Sequence, residues 1–288
     1  MCYNGIIHKV KHAVFIILFV LVTVGMGVSV FFSIHDDAEA DYVVETNAFF
    51  APFEFYKNRE IVGVDVEIVN RVAEKMNKKI QITNVEFDVI IDNVEAGRIA
   101  DAGAAGLTIT PARAEKVNFT IPYYRSVQYV IYAKDVPPSL RDGHVVWEAL
   151  EGATLGSQVG STGYMLADDE IMSGALAGTG ASLKGIDSHQ LAADAILSHI
   201  VDYAIADELA AKFIVEKNPA LAALPLYYAG ATRAEDYPVE ESYAIAVNKS
   251  RGDLLEAFNE VLAEMLTEDE SGETEIDRLV LKYMGLTE

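Results

Sequence analysis

The sequence predicts an α/β fold of mainly parallel sheets flanked by helices, and three observations support this prediction. From Tyr42 onward, short apolar runs alternate with segments of helical periodicity, a pattern typical of βαβ units. Hydrophobic residues make up 51% of the chain, so it can bury substantial cores and is not expected to be disordered. Its 288 residues suffice for two modest domains once an N-terminal leader is set aside.

The individual elements follow from periodicity and end signals. The predicted strands are short apolar runs at 42–46, 80–84, 102–106, 128–133, 154–157, 203–206 and 243–247. One predicted helix begins after Asp65 as its cap, a second runs from Phe87 and Asp88 to near Gly97, and a third begins at Tyr164. Four more predicted helices span 190–200, 208–215, 253–265 and 274–284. In the helix after Asp65, apolar residues at helical spacing form one face: Val66, Val69, Ala73 and Met76.

Charge and cysteine content exclude several classes of function. The formal net charge is −22, from 44 acidic and 22 basic residues, and nucleic acid binding needs clustered basic residues. Cys2 is the single cysteine, so a disulfide framework, a cysteine metal cluster and thiol catalysis are not available to the folded body. We therefore expect no nucleic acid partner, no metal and no cofactor.

The N-terminus has the pattern of an export signal. Lys9 and Lys11 precede an apolar run at 13–34, acidic residues follow it, and Ala38-Glu39-Ala40 forms an A-x-A cleavage site. The run is also long enough to span a bilayer, so a cleaved signal peptide and an uncleaved signal anchor are both possible for residues 1–40. In either case the body is expected in the periplasm or at the cell surface.

The segment Gly106-Leu-Thr-Ile-Thr-Pro-Ala-Arg113 carries the strongest functional signal. It ends an apolar strand and begins a helix, with Thr110 as the expected N-cap and Pro111 at the first helical position. Arg113 then lies in the first turn, where the helix dipole is positive and a cation needs an opposing anion. A carboxylate receptor with Thr108 as a further donor fits this pattern, and a surface ion pair with a nearby Glu fits it equally.

Two further features follow predicted strands, where open α/β sheets place their ligand crevice. The loop Gly160-Ser161-Thr162-Gly163 can donate hydrogen bonds to an anion, and Asp207 presents an isolated carboxylate. Each residue also suits a simple N-cap role. Together with Arg113, however, they suit a zwitterion that carries one carboxylate and one ammonium group.

Longer segments resemble one known family. The stretches that carry the resemblance are Thr46-Asn-Ala-Phe-Phe-Ala-Pro-Phe-Glu-Phe55, Val62-Gly-Val-Asp-Val66, Gly106-Leu-Thr-Ile-Thr-Pro-Ala-Arg-Ala-Glu-Lys-Val-Asn-Phe-Thr120, Ile121-Pro-Tyr-Tyr124, Asp202-Tyr-Ala-Ile-Ala-Asp207 and Ser271-Gly-Glu…Lys282-Tyr-Met-Gly285. In order and spacing, residues 41–288 resemble the periplasmic amino-acid-binding proteins of ABC importers, bacterial solute-binding protein family 3.

The resemblance implies a two-lobe flytrap (periplasmic-binding-protein) fold, with a mainly parallel sheet in each lobe and a hinge of two strands. The first lobe would comprise residues 41–127 plus 236–288, the second residues 133–228, and the hinge residues 128–132 and 229–235. The two lobes would close on one free amino acid.

The resemblance also implies roles for single residues. Arg113 would bind the ligand α-carboxylate as a bidentate fork, and Asp207 would bind the α-ammonium group from the opposite lobe. Further carboxylate contacts would come from the Gly106 backbone, Thr108, Ser161 and Thr162.

The ligand side chain would lie among Asn47, Phe50, Phe87, Gln158 and Ala206. Relatives that bind cationic ligands often have Asp at the position of Asn47, which counts against a cationic ligand here. No second basic residue occupies the pocket, which counts against an acidic ligand. A neutral polar amino acid such as glutamine is therefore the favoured ligand. A cationic amino acid (Arg, Lys or His) is the alternative, because the two aromatic rings can also accept a guanidinium.

The resemblance implies a monomeric, non-enzymatic receptor that delivers its amino acid to an ABC transporter permease. Two other functions are alternatives: a membrane-anchored amino-acid sensor domain, suggested by the long leader, and an enzyme that resembles cyclohexadienyl dehydratase. An enzyme needs a positioned acid or base, and His144, His189 and His199 are predicted to be surface or cap histidines.

Overall fold

The computed structural model of the protein describes residues 40–285. The predicted leader, with its apolar run at 13–34, lies outside the described residues. Within residues 40–285, no helix combines the length and the apolar character needed to cross a membrane.

Strands and helices alternate along the described chain, as predicted. The strands are β1 Tyr42–Thr46, β2 Phe49–Phe50, β3 Glu54–Lys57, β4 Glu60–Val62, β5 Ile80–Asn84, β6 Ala102–Gly103, β7 Asn118–Phe119, β8 Tyr124–Ala133, β9 Val145–Val146, β10 Thr154–Gln158, β11 Ser182–Ile186, β12 Tyr203–Asp207, β13 Leu221–Tyr228, β14 Tyr237–Pro238, β15 Glu240–Tyr243 and β16 Ala246–Val247. The α-helices are α1 Val64–Met76, α2 Ile90–Ala96, α3 Pro111–Lys116, α4 Thr162–Met172, α5 His189–Leu197, α6 Glu208–Lys217, α7 Gly252–Met265 and α8 Glu275–Tyr283.

The first lobe is built on the sheet β5-β1-β6-β16-β7. Strand β1 runs parallel to β5 and β6, whereas β16 is antiparallel to β6 and β7. Helix α1 packs against α7 and α8, and its buried residues Ile68, Val69 and Val72 join the largest hydrophobic cluster of the described chain. The predicted apolar face is partly confirmed: Val66 and Val69 are buried, whereas Ala73 and Met76 are only partly buried.

The second lobe is built on the sheet β11-β10-β12-β8-β13-β14. Strands β11, β10 and β12 are parallel to one another, and β8 is antiparallel to both β12 and β13. Two hydrophobic clusters belong to this sheet, one around Trp147 and Leu155 and the other around Ile131 and Ile196. Each lobe thus contains a mixed sheet, with three parallel strands on one side and antiparallel pairings on the other.

Strand β8 connects the two lobes. Its residues 124–127 pair with β15, and its later residues pair with β12 and β13 of the second sheet. Beyond β15, the backbone N–H of Ala244 donates to Leu107 O, which places β15 beside the segment that leads to Arg113. The crossing strands therefore bring residues of both sheets to one place.

Several predicted boundaries change for reasons that depend on distant residues. Asp65 does not cap α1, because the helix begins after Gly63 and the Asp65 side chain turns inward. The predicted strand 102–106 ends at Gly103, and Gly106 adopts a left-handed conformation with φ of 54°. The predicted strand 243–247 is divided between β15 and β16.

Two helix starts also shift toward the N-terminus. The predicted start of α4 at Tyr164 moves to Thr162, and α5 begins at His189 because Ser188 caps it. The predicted helix end near Gly97 is confirmed, since Gly97 closes α2 with φ of 62°.

Candidate functional site

Arg113 occupies the predicted place at the start of a short helix. The Arg113 backbone N–H donates to Thr110 Oγ1 at 3.2 Å, so Thr110 is the N-cap, and Pro111 is the first residue of α3. The guanidinium is 7% exposed, and its Nη1 and Nη2 donate to Thr108 O at 2.8 Å and to Gly160 O at 2.9 Å. Arg113 is therefore a buried fork that joins the two lobes, and not a surface ion pair.

Burial also changes the electrostatics of this group. Burial lowers the pKa of the Arg113 guanidinium, and the nearby carboxyl groups of Glu241 and Asp207 act in the opposite direction. The Arg113 guanidinium also lies over the Phe87 ring, 5.7 Å from its centroid. A cation held in this way attracts an anion more strongly than an exposed one does.

The loop before α4 approaches from the second lobe. Ser161 Oγ accepts a hydrogen bond from the Tyr164 backbone N–H at 3.1 Å, so this hydroxyl serves as the N-cap. Thr162 is the first residue of α4, and the N–H groups of a first helical turn have no acceptor within the helix. Gly160 has φ of 77°, and a Cβ there would lie 2.8–2.9 Å from atoms of Asp88. The loop thus presents free helix N–H groups beside the Arg113 fork.

Asp207 lies at the end of β12 and is 6% exposed. It precedes α6 but makes no capping hydrogen bond; its Oδ1 instead accepts from Gln128 Nε2 at 2.9 Å. Burial raises the pKa of the Asp207 carboxyl well above its usual range, and the neighbouring charge of Glu241 raises it further. The predicted isolated carboxylate is therefore a buried, electrostatically strained group.

Glu241 is a site residue that sequence reasoning missed. It lies on β15 with 5% exposure, and its Oε1 accepts from Gln128 Nε2 at 2.6 Å and from the Thr162 hydroxyl. Its Oε2 accepts from Thr108 Oγ1 at 3.0 Å. The sequence offered one signal for its burial: Glu241 and Tyr243 alternate as inward positions of a short strand. That pattern does not show which residues Glu241 binds.

His189 was also missed, because it was predicted to be a surface or cap residue. It is 3% exposed, its Nε2 lies 3.6 Å from Asp207 Oδ2, and its ring centroid lies 5.4 Å from that of Phe50. Burial lowers the pKa of His189 to about 4, so the ring is neutral at pH 7. His144 lies elsewhere, where its Nε2 is 2.9 Å from Asp236 Oδ2.

The predicted side-chain pocket brings most of its members together. Asn47 Nδ2 donates to Val85 O at 2.7 Å, and its Oδ1 accepts from Gln158 Nε2 of the second lobe at 3.0 Å. One small pocket, with a volume of about 10 Å³, is lined by Phe50, Phe87, Ala105, Gly106, Thr108, Gln158, Ser161, Thr162, His189 and Asp207. Since polar groups of the two lobes bind one another here, a ligand can enter only by replacing such contacts between the lobes with its own hydrogen bonds.

One predicted donor is engaged elsewhere. The Gly106 backbone N–H donates to Asp65 Oδ2 at 2.9 Å, and Asp65 Oδ1 accepts from the Tyr123 hydroxyl at 2.6 Å. The Gly106 N–H is therefore not free for a ligand carboxylate, and its carbonyl oxygen is the group that remains. Among residues 40–285, no three or more His, Cys, Asp or Glu side chains are grouped so that they could bind a metal ion.

Comparison with known proteins identifies the family. Residues 42–285 match the bacterial extracellular solute-binding proteins, family 3. The chain belongs to this family. The predicted resemblance and the two-lobe fold are thereby confirmed.

Individual relatives and structures agree with this assignment. A structure of the amino acid ABC transporter substrate-binding protein AbpA from Streptococcus pneumoniae, bound to L-arginine, has a TM-score of 0.71 and 27% identity, covering 85% of this chain and 94% of that one. The lysine/arginine/ornithine-binding periplasmic protein of Escherichia coli (strain K12) is 26% identical over 230 residues, which are 77% of this chain and 81% of that protein.

A further relative matches over a shorter range. The ABC transporter arginine-binding protein 1 of E. coli (strain K12) is 33% identical over 125 residues, which are 43% of this chain and 48% of that protein. This match therefore spans about half the length of that relative.

Proposed function

We propose that this family member is an extracytoplasmic receptor that binds a free cationic L-amino acid and delivers it to an ABC transporter permease. Two relatives described above are arginine-binding and lysine/arginine/ornithine-binding proteins, and the AbpA structure contains L-arginine, which supports the cationic alternative over glutamine. The preference for a neutral polar ligand, which was based on Asn47, is correspondingly the less well supported of the two.

The observation that carries the proposal is the balance of buried charge. One guanidinium, that of Arg113, faces two buried carboxyl groups, those of Asp207 and Glu241. Burial and the neighbouring charge of Glu241 raise the pKa of Asp207 in the unliganded site. Ionisation of both carboxyl groups would leave one excess negative charge, and buried charges are costly unless they are compensated. A zwitterionic ligand leaves that excess in place, whereas a ligand with one further positive charge neutralises it.

The proposed binding mode assigns the ends of the ligand to opposite lobes. Arg113 and the free N–H groups at the start of α4 bind the α-carboxylate, and Asp207 binds the α-ammonium group. The ligand side chain extends between Phe50 and Phe87, whose ring faces suit a guanidinium or ammonium group. The pocket would open as the contacts of Arg113 with Gly160 and of Gln158 with Asn47 give way to the ligand.

Closure is proposed to follow the predicted division of the chain. The first lobe would be 41–127 plus 236–288 and the second 133–228, with β8 as one of the two crossing strands. Because one ligand bridges both lobes, its full set of contacts exists only in the closed state, and this difference drives closure. We further propose that the receptor acts as a monomer and that it binds without turnover.

Titration calorimetry of residues 41–288 across the common L-amino acids tests the proposal. We expect saturable binding of arginine, lysine or histidine, with glutamine weaker. Arg113→Ala should lose about 2–5 kcal/mol of binding free energy, because it leaves a buried ligand charge unpaired.

The matched control is Lys116→Ala, which removes a cation from the exposed face of the same helix, where it pairs with Asp92. This variant should bind as the wild-type protein does. Absence of saturable binding to any amino acid, or full affinity in Arg113→Ala, would overturn the proposed function. Consumption of a cyclohexadienyl acid by the purified protein would favour an enzyme instead.

A further inference from the structure

The carboxylate of Glu241 is the meeting point of hydrogen bonds from both lobes and from a crossing strand. Thr108 of the first lobe donates to Oε2 at 3.0 Å, and Thr162 of the second lobe donates to Oε1. Gln128 of β8 donates its Nε2–H to the same Oε1 at 2.6 Å. The proposed function uses the charge of Glu241, but it gives no role to these three hydrogen bonds.

Proton counting at the two threonines defines what Glu241 does. A threonine hydroxyl has one proton to donate and two lone pairs to accept with, and an ionised carboxylate can only accept. The hydroxyl protons of Thr108 and Thr162 are therefore committed to Glu241. The two hydroxyl oxygens lie 3.4 Å apart and line the pocket that contains Asp207. Toward a ligand, these two hydroxyl groups can therefore only accept hydrogen bonds.

We propose that Glu241 is a positioning residue that turns Thr108 and Thr162 into acceptors for the ligand ammonium group. This inference rests on the proposed function, since it takes the ligand to be an amino acid. The ammonium group would then meet Asp207 and two hydroxyl lone pairs, which matches its three donors. The α-carboxylate would be left to Arg113 and the helix N–H groups, so the two threonine hydroxyls change from predicted carboxylate donors to ammonium acceptors.

Gln128 extends the same arrangement to Asp207. Its single Nε2 donates to Asp207 Oδ1 at 2.9 Å as well as to Glu241 Oε1, so one amide orients both carboxyl groups. Replacing Glu241 with Gln would turn one of its two acceptor oxygens into an NH2 donor, so Thr108, Thr162 and Gln128 would compete for the one oxygen that remains. Recognition of the amino end of the ligand would suffer, whereas the carboxylate end, which depends on Arg113, would not.

The test compares two ligands that differ only in the amino group. Calorimetry would measure L-arginine and δ-guanidinovaleric acid, its analogue without the α-amino group, on wild-type protein and on Glu241→Gln. We expect Glu241→Gln to weaken L-arginine binding about 10- to 100-fold, as for loss of hydrogen bonds to a charged group. Affinity for the analogue should change by less than about threefold, within the usual variation of such comparisons.

Three further variants exclude a merely structural effect. Glu240→Gln removes the neighbouring, exposed carboxylate of the same strand and should leave both affinities unchanged. Thr162→Val should weaken L-arginine binding, and combining it with Glu241→Gln should cost less than the two single losses together, because both act through one hydroxyl. If Glu241→Gln does not fold, Thr162→Val measured with the same two ligands is the second route: it should weaken L-arginine and leave the analogue almost unchanged, and equal weakening of both would overturn the inference.

The outcomes separate the inference from the proposed function. If the wild-type protein binds no amino acid, both fail. If it prefers glutamine, the same comparison with L-glutamine and glutaramic acid tests Glu241, and only the proposed ligand class fails. If the wild-type protein binds an amino acid but Glu241→Gln weakens both members of the pair equally, Glu241 has a structural role and the inference is wrong.

Discussion

Replacing Asp207 with Asn should stabilise the unliganded fold at neutral pH while abolishing ligand binding. Asp207 Oδ1 and Glu241 Oε1 lie 2.9 and 2.6 Å from the same Gln128 nitrogen, so the two oxygens are at most about 5.5 Å apart. At an effective dielectric constant of about 20, two unit charges at that separation repel each other by about 3 kcal/mol. Asn keeps the acceptor for Gln128 and removes this repulsion. We therefore expect a gain of about 1–3 kcal/mol in the free energy of unfolding, or about 2–10 °C in Tm for a chain of this size.

The pH dependence of this gain follows from the raised pKa of the Asp207 carboxyl. Below the ordinary Asp pKa of about 4, the group is protonated in both the folded and the unfolded chain, so Asp207→Asn changes little. As the pH rises, the unfolded chain loses the proton first, and the wild-type fold loses stability that the variant keeps. The stabilisation should therefore grow from pH 4 toward the raised pKa of the folded protein.

Thermal denaturation without ligand, at pH 4 and at pH 8, measures this effect, and calorimetry measures the loss of binding. Asp168→Asn removes an exposed carboxylate from α4 and is the matched control, with no expected change in Tm. If Asp207→Asn does not raise Tm at pH 8, or raises it equally at pH 4 and pH 8, Asp207 is not electrostatically strained in the folded protein. Retained ligand affinity in Asp207→Asn would refute its proposed role with the ammonium group.

Two further predictions concern the backbone that holds Arg113. Thr110→Ala removes the N-cap of α3 and should lower the free energy of unfolding by about 1 kcal/mol, with Thr110→Ser close to wild type in urea denaturation; equal stability of the Ala and Ser variants would contradict the capping role. Gly160→Ala forces a side chain onto a residue with φ of 77° and into contact with Asp88, so it should cost about 1–2 kcal/mol or more and weaken ligand binding, as measured by denaturation and calorimetry. Gly178→Ala, at φ of 74° with open space around it, is the control: it should show the backbone cost without the loss of binding.

Local signals predicted the elements that depend on few neighbouring residues. Strands β1 and β5 occur at the predicted positions, and Thr110 caps α3 as its sequence context indicates. The capping bond of Thr110 lies within three residues of the chain, and the two strands show in their own apolar residues although they pair with each other across the intervening helix α1. The same holds for the place of Arg113 in the first helical turn, which determines the direction of the guanidinium.

The groups that surround the predicted site could not be found in this way. Glu241 meets Thr108 and Thr162 across 133 and 79 residues of sequence, and Gln128 meets Asp207 across 79. No spacing pattern encodes these contacts, because they arise only when β8 and β15 cross between the lobes. His189 was misjudged for the same reason: the start of a helix is usually exposed, and only the opposing lobe covers this one.

The proposed ligand class depends on one of these non-local contacts. The argument from sequence for a neutral ligand rested on Asn47, where relatives that bind cationic ligands often have Asp, and it did not include Glu241. Glu241 adds a second carboxylate beside Asp207, and burial together with the charge of Glu241 raises the pKa of Asp207. A ligand with an extra positive charge relieves that repulsion, so the strain that lowers the stability of the unliganded protein becomes binding free energy for a cationic amino acid. On this reasoning the selectivity for cationic ligands and the stability gain in Asp207→Asn have one cause, and removing the Glu241 charge should diminish that stability gain.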